Sequence, residues 1–284
     1  MLHGYGSTIL EGAWLTLSLA LTSMTLAIAL GLVGAAFRLS PLKWLALLGE
    51  GYATVIRGIP DLVLILLIFY GGQDLVNRVA PLLGHDQYID INPFIAGVCT
   101  MGFIFGAYLS ETFRGAFMAI AKGQAEAGAA YGMSGMQVFW RILVPQMIRF
   151  AIPGFTNNWL VLTKATALIS VVGLQDMMFK AKNAADATRE PFTFFLAVAA
   201  LYLLLTTVSL LALRLLWLGF LGTVAWLLFA QVPTTTSVST PHTALIEVQG
   251  EIADGTEAGA DQVVAPNVDT LYSLPFIFFV IILS

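Results

Sequence analysis

Five polar residues lie inside long apolar stretches of the sequence, where each could contact a solute or hold helices together. They are Asp61, Glu111, Asn157, Asn158 and Lys164. A charge at the centre of a bilayer costs at least about 2.5 kcal/mol on insertion scales, so ionisable residues there are expected to face protein or water. These residues are therefore candidates for the lining of a route for a polar solute, with helix pairing as the alternative.

Three of these charges have specific structural alternatives. Glu111 precedes Arg114 by three residues, which places both on one helix face, so an ion pair is the simpler interpretation. Asp61 follows Pro60 and could cap a helix or attract a cation, and the cap is favoured. For Lys164 an ion pair or a carbonyl contact is slightly favoured. The two asparagines stay open between contact with a solute and hydrogen bonds across helices.

The sequence offers no pattern for catalysis or for metal binding. Its one cysteine, Cys99, lies in an apolar run and cannot form an intrachain disulfide. It contains no G-x-x-x-x-G-K-[ST] phosphate-binding loop. We therefore expect no catalytic residue, no metal, no cofactor and no nucleic-acid partner. The chain is not predicted to be an enzyme.

The composition is that of an integral membrane protein. Of the 284 residues, 58% are hydrophobic and only 11% are charged, which is too apolar for a soluble domain of this size. All 13 basic residues lie between Arg38 and Arg214, whereas six of the 17 acidic residues follow Arg214. This change in charge near residue 214 suggests that two regions of different character are joined there.

Five apolar stretches before residue 214 are long enough to cross a membrane as helices of about 20 residues. They lie at about 12–36, 60–77, 92–115, 147–171 and 192–213. With the N-terminus outside, four basic residues face outward and eight face the cytoplasm, as the positive-inside rule favours: Arg38, Lys43, Arg57, Arg114, Lys122, Arg141, Arg149 and Arg214. The first stretch lacks the features of a cleaved signal and should remain as an anchor.

Residues 116–146 form the longest loop on the predicted cytoplasmic side, and it should be folded. Small residues across 125–131 predict a short helix with a smooth surface, and Gly132 offers a stop. A second helical stretch is predicted from residue 133 to 148, ending at Pro145 near the membrane. A short, smooth helix held away from the membrane suits docking into a groove on a partner.

The residues of this loop resemble a known motif. Glu126-Ala127-Gly128, then Gly132, then Ile142 to Pro145 have the spacing of the EAA loop of ABC importer permeases, with Gly128 where alanine is common. Further segments are similar to the polar amino acid branch of that family, and especially to the Q-type subunits of histidine and lysine-arginine-ornithine importers: 52–61, 106–115, 157–159 and 164–176. The resemblance covers residues 1 to about 213.

The resemblance implies an all-α membrane protein with the type I ABC importer permease fold and five core transmembrane helices. In this family the EAA loop is the coupling helix that docks on the ATPase, a role that would fall here to Glu126, Ala127, Gly128, Gly132 and Pro145. The implied partners are a second permease subunit in a heterodimer, two ATPase subunits, and a periplasmic or extracellular solute-binding protein. The implied substrates are polar, basic amino acids (histidine, arginine, lysine or ornithine), carried across the bacterial inner membrane.

The C-terminal region departs from the family. Residues 214–231 continue as an extra apolar helix that could form a sixth span, and 232–284 form a tail with an irregular or β-like character. Residues 241–264 are similar to the start of the mature domain of signal peptide peptidase A, but no lysine follows Lys182 to act as a catalytic base. The hypothesis is a fragmentary tail joined by fusion or gene assembly. The alternative functions are a membrane-anchored relative of that peptidase without catalytic residues, and a passive channel or scaffold.

Overall fold

The computed structural model describes residues 4–84 and 87–230, and within them the chain is helical with no strand. The all-α prediction is therefore confirmed for this part of the chain. In chain order the α-helices are α1 (Gly6–Arg38), α2 (Lys43–Gly58), α3 (Asp61–Val79), α4 (Pro93–Met118), α5 (Lys122–Ala130), α6 (Gly135–Val138), α7 (Val144–Ala165), α8 (Met177–Thr188) and α9 (Pro191–Ala230). Short 3-10 helices follow α3 (Ala80–Leu83) and α7 (Thr166–Val172), and a π-helical turn precedes α7 (Phe139–Leu143).

Five crossings of a membrane are available in the described residues. Four are single helices long and apolar enough to span: Gly6–Arg38, Asp61–Leu82, Pro93–Met118 and Pro191–Gly219. The fifth is a bent pair, Gly135–Val172 with Met177–Thr188, which meet at 55°. Each predicted stretch coincides with one of these crossings. The helices extend past the apolar windows because a helix does not need to be apolar once it reaches the membrane boundary.

Helices α1 and α4 run side by side in the same direction. A Cβ placed on Gly97, near the start of α4, would meet Leu19, and one placed on Gly106 would meet Leu30 further along α1. Helix α3 runs the opposite way, because Asp61 at its start contacts Tyr108 in the second half of α4. The crossings therefore alternate in direction, as a chain that threads back and forth requires.

The second half of the bundle continues this alternation. A Cβ on Gly154, near the start of α7, would meet Thr112 of α4, while Ile169 after α7 lies beside Gly97. Helix α7 is therefore antiparallel to α4. Helix α9 begins at the N-terminal end of α1, where the rings of Tyr5 and Phe194 pack edge to face with centroids 6.0 Å apart.

The α1–α4 contact is close because α4 carries glycine at the crossing. A Cβ on Gly102 would lie 2.6 Å from Leu26 Cδ2, and one on Gly106 would lie 2.8 Å from Leu30 Cβ. The G-x-x-x-G pattern of Gly102 and Gly106 is thus a helix-packing motif, which lets the two backbones approach and gain van der Waals contact.

The loop between α4 and α7 is folded, as predicted, but its second helix does not end at Pro145. Instead α7 begins at Val144 and places Pro145 in its first turn. Proline is tolerated there because the first N–H groups of a helix have no intrahelical partner. The prediction of a helix end at Pro145 was therefore wrong, and the loop connects to the membrane without a break.

Helix α9 is a single helix of 40 residues. At 1.5 Å per residue it is about 60 Å long, roughly twice the hydrocarbon thickness of a bilayer. The stretch predicted as an extra helix at 214–231 is not separate, because α9 continues through it to Ala230 without a break. The tail at 232–284, with its β-like run and its resemblance to the peptidase, lies outside the described residues.

Candidate functional site

Helix α5 ends in a turn fixed by backbone hydrogen bonds. Gly132 adopts a left-handed φ of 77°. Its N–H donates to the Ala129 carbonyl at 2.9 Å, and the Met133 N–H donates to the Gly128 carbonyl at 3.1 Å. These two bonds form a Schellman motif, in which glycine supplies the conformation that other residues resist. The predicted stop at Gly132 is confirmed.

Helix α5 packs on the segment that leads into α7. A Cβ on Gly128 would lie 2.7 Å from Ile142 Cδ1 and 3.0 Å from Val138 Cγ2, so the absence of a side chain brings the two segments together. A side-chain hydrogen bond from Gln146 Nε2 to Gln124 Oε1, at 3.5 Å, joins α5 to the first turns of α7 itself. A displacement of α5 would therefore be passed to the start of α7.

The outer surface of this loop is exposed and partly aromatic. Glu126 and Ala127 on α5 are both exposed. Beside them are large residues whose side chains are mostly accessible: Tyr131 at 88%, Met136 at 68% and Trp140 at 62%. These three exposed residues were not predicted from the sequence. An exposed aromatic group next to a fixed helix is typical of a protein-docking surface.

One face of α7 remains open within the described chain. Asn157, Val161 and Lys164 are exposed and recur at helical spacing. Asn158 lies on the other side, where it is buried and donates to Thr112 Oγ1 at 3.1 Å and to the Gly154 carbonyl at 2.8 Å. The two asparagines therefore lie on different sides of α7. Asn158 joins α7 to α4, and Asn157 belongs to the open face.

Lys164 lies near mid-depth in the bundle. It falls between Gly154, at the level of Thr112, and Ile169, at the level of Gly97. The favoured ion pair or carbonyl contact is absent, because the Lys164 side chain makes no ion pair or hydrogen bond with any residue of the described ranges. An ammonium group at this depth needs water or an acidic partner, since exposure to hydrocarbon is expensive. The open face of α7 is therefore directed toward a cavity or another chain.

Glu111 is the centre of an ion network. Its Oε2 accepts from Arg38 at 2.7 Å and from Arg57 at 3.0 Å, and its Oε1 accepts from Arg114 at 3.0 Å. The predicted Glu111–Arg114 pair is present, but the other two arginines were not anticipated. Arg38 also donates to Glu50 at 2.8 Å, and its side chain is only 2% exposed. This arrangement ties α1, α2 and α4 together.

Asp61 was predicted to cap α3, and this prediction was wrong. Pro60 occupies the cap position and makes no side-chain cap bond, and Asp61 is the first helical residue. Its carboxylate accepts a hydrogen bond from the Tyr108 hydroxyl of α4 at 3.2 Å. A carboxylate in the first turn still complements the helix dipole, which explains its place without a capping bond.

Comparison with known proteins identifies the family of this chain. Residues 23–217 match the family described as binding-protein-dependent transport system inner membrane component. The chain belongs to this family. It is a multi-pass inner membrane protein, and as a transport permease it is not itself an enzyme.

Individual relatives agree with this assignment. The chain is 53% identical to the histidine/lysine/arginine/ornithine transport system permease protein HisQ of Salmonella typhimurium over 209 residues, 74% of this chain and 91% of the relative. It is 41% identical to the octopine transport system permease protein OccQ of Rhizobium radiobacter over 206 residues, 72% and 87% of the two chains. Its fold is similar to the crystal structure of an amino acid ABC transporter with histidines, with a TM-score of 0.64, 29% identity, and coverage of 75% and 94%.

The permease also has a polar junction at the opposite end of the bundle. Asp176 is fully buried, and its Oδ1 accepts from the Phe179 N–H at 3.0 Å, capping α8. The Thr16 hydroxyl of α1 accepts from the Met177 N–H at 3.2 Å. The cap fixes the start of α8, and the bond to Thr16 holds the bend between α7 and α8 against α1. Asp176 was predicted only as part of the family-like segment 164–176, and its role as the cap of α8 was not predicted.

Proposed function

We propose that this permease imports polar, basic amino acids such as histidine, arginine, lysine and ornithine, driven by ATP hydrolysis on partner subunits. The working assembly contains a second permease subunit in a heterodimer, two ATPase subunits and an external solute-binding protein. The observation that carries the proposal is the exposed α5, which ends in a fixed turn and packs directly on the lead-in to α7. The names of the HisQ and OccQ relatives support the substrate class.

In this proposal α5 is the coupling helix. Glu126 and Ala127 present the exposed side of α5 to the ATPase, and Gly132 fixes where that helix ends. Gly128 transmits displacement through its contact with Val138 and Ile142. Pro145, in the first turn of α7, begins the helix that receives the motion. No covalent chemistry takes place on this chain.

The open face of α7 is the proposed lining of the solute route. Asn157 and Lys164 lie on it, and both are exposed. The α-carboxylate is the anionic group shared by all the proposed substrates, and the Lys164 ammonium is a suitable partner for it. Asp61 remains a candidate for the inner end of the route, because its carboxylate receives one neutral donor, Tyr108. The proposal assigns Glu111 to the ion network and not to the route, since three arginines contact its oxygens.

The proposed orientation places the N-terminus outside. The eight basic residues counted as cytoplasmic include Arg38 at the end of α1, Arg114 near the end of α4 and Lys122 at the start of α5. Because α1 and α4 are parallel, these residues lie at one end of the bundle. Arg78, Lys180, Lys182 and Arg189 belong to the other end. The excess of positive charge supports a cytoplasmic position for α5.

Capture of the ATPase tests this proposal. The full chain, co-expressed with its partner permease, should retain the ATPase subunit on an affinity column, and Glu126→Lys should abolish that capture. Asp90→Lys is the matched control, because Asp90 is an exposed carboxylate in the connection before α4, at the other end of the bundle. Equal capture by both variants would show that α5 is not the docking helix. Capture only after truncation at residue 214 would show that the C-terminal extension blocks assembly.

A further inference from the structure

Helix α2, which the sequence analysis did not predict, has one side that the described chain leaves uncovered. Its buried side consists of Gly49, Ala53 and Ile56, and Tyr52 on the same side donates a hydrogen bond to the Phe103 carbonyl of α4. The other side carries large apolar residues, each more than half exposed: Trp44, Leu47, Leu48 and Val55. Helix α2 is thus amphipathic, and its apolar side faces outward.

The middle and the last turn of α2 lie near the end of α1. A Cβ on Gly49 would meet Phe37 and Arg38 at the end of α1, and Arg57 pairs with Glu111, seven residues before the end of α4. With 16 residues α2 is not among the crossing helices. It therefore lies along the membrane boundary, where an amphipathic helix places its apolar side among acyl chains.

The ion network beside α2 has more cationic donors than carboxylate acceptors. Three arginines face two glutamates, which leaves one net positive charge. Arg57 is 41% exposed and bonds to Glu111 through Nη1 alone among the described contacts. The Arg114 Nε is buried and has no partner in the described structure. The uncommitted donors of the partly exposed Arg57 guanidinium suit a group with several anionic oxygens, such as a phosphate.

We propose that the corner formed by α1, α2 and α4 binds an anionic phospholipid. The phosphate is recognised by Arg57 and the surplus charge of the network, and the acyl chains lie along Trp44, Leu47, Leu48 and Val55. A soluble anion would use the arginines but not the apolar side of α2. Lys43 and Trp44 at the start of α2 are residue types enriched at the boundary between headgroups and acyl chains. The proposal does not depend on the transport function.

Binding of a fluorescent short-chain phosphatidylglycerol to the purified full chain in mild detergent tests this site. Binding should saturate and be displaced by unlabelled phosphatidylglycerol, but not by phosphatidylcholine or by inorganic phosphate at equal concentration. Arg57→Gln should weaken it about fivefold, since one basic residue near an anionic membrane surface contributes about 1 kcal/mol. Arg78→Gln, at the other end of the bundle and paired with Asp74, should bind as the wild type does.

Three further variants protect the test from loss of folding. Glu50→Gln removes a 58% exposed carboxylate and raises the net charge of the network, so it should strengthen binding, which misfolding cannot do. Leu48→Gln should weaken binding, whereas Leu82→Gln, at a position 83% exposed at the other end, should not.

Three results would overturn the proposal. The first is equal binding by the wild type and by Arg57→Gln and Glu50→Gln. The second is displacement of the probe by inorganic phosphate as readily as by lipid, which would indicate a soluble anion. The third is loss of probe binding when the partner permease is assembled with the chain, which would assign the exposed side of α2 to a protein contact.

Discussion

Replacing Gly102 with alanine should force α1 and α4 apart and lower the stability of the permease. The new Cβ would lie 2.6 Å from Leu26 Cδ2 and 2.9 Å from Leu26 Cβ. Favourable carbon–carbon contacts lie at about 3.5–4.0 Å. Rotation of the Leu26 side chain can move Cδ2 away but leaves its Cβ in place, so the backbone of one helix must shift.

The magnitude follows from two opposing effects. Adding a methyl group to a packed interface costs about 1–3 kcal/mol. Alanine in place of glycine inside a helix recovers about 0.5–1 kcal/mol. We therefore expect Gly102→Ala to be less stable than the wild type by about 1–2 kcal/mol. Gly115 provides the control on the same helix, because a Cβ there meets nothing within 4 Å. Gly115→Ala should show only the stabilisation that alanine gives inside a helix, without the cost of a clash.

The assay is the temperature at which the purified full chain in detergent loses its monodisperse peak on size-exclusion chromatography. For a protein of this size 1 kcal/mol corresponds to about 2–4 °C, so Gly102→Ala should melt several degrees below the wild type. Gly115→Ala should melt at or above the wild-type temperature. If both variants are equally stable, α1 and α4 do not approach each other at Gly102, and the proposed close packing of these helices is wrong.

Three further outcomes are expected. Glu111→Gln should lower stability by about 2–3 kcal/mol in the same assay, because it leaves three arginines with one carboxylate. The control Asp74→Asn, in an exposed ion pair, should change stability by less than about 1 kcal/mol. Equal effects of the two variants would contradict the central role of Glu111. Gly132→Leu should insert normally into the membrane but lose ATPase capture, since the φ of 77° at this position costs leucine about 1–2 kcal/mol through its Cβ. Gly132→Asn should keep the capture, because asparagine tolerates this conformation. If the Lys164 ammonium binds the substrate carboxylate, Lys164→Met should reduce ATP-driven uptake of labelled arginine in proteoliposomes at least tenfold, which corresponds to on the order of 1.4 kcal/mol. Lys164→Arg should retain most of the uptake. Unchanged uptake by Lys164→Met would remove Lys164 from the route.

Features with a local signal were accessible from the sequence. The spans appear because about 20 apolar residues are needed to cross a bilayer, and the end of α5 appears because Gly132 can adopt a conformation that its neighbours resist. Helix α2 also has a local signal, but it was missed because its apolar residues do not form a continuous run. Its apolar residues are interrupted by Glu50 and Arg57, and they form one side only when arranged at the helical period.

Features made by distant contacts were not accessible. Arg38 and Glu111 are separated by 73 positions, and only the parallel packing of α1 on α4 brings them to 2.7 Å. Asn157 and Asn158 are adjacent in sequence and identical in chemistry, yet the helix turns about 100° between them. Asn158 donates to Thr112 across the α4 interface, whereas the exposed Asn157 side chain makes no hydrogen bond within the described residues. Residue type alone could not have separated the two.

The contacts of α5 also limit how a push from the ATPase could act. Helix α5 begins four residues after the end of α4 and packs on the lead-in to α7, so it is attached to two crossing helices. Those two helices are joined to each other, because Thr112 receives the hydrogen bond from Asn158 and would be 2.6 Å from a Cβ on Gly154. A displacement of α5 would therefore move α4 and α7 together. Since the open face with Lys164 belongs to α7, its exposure would change by rotation of this pair, and not by independent motion of one helix.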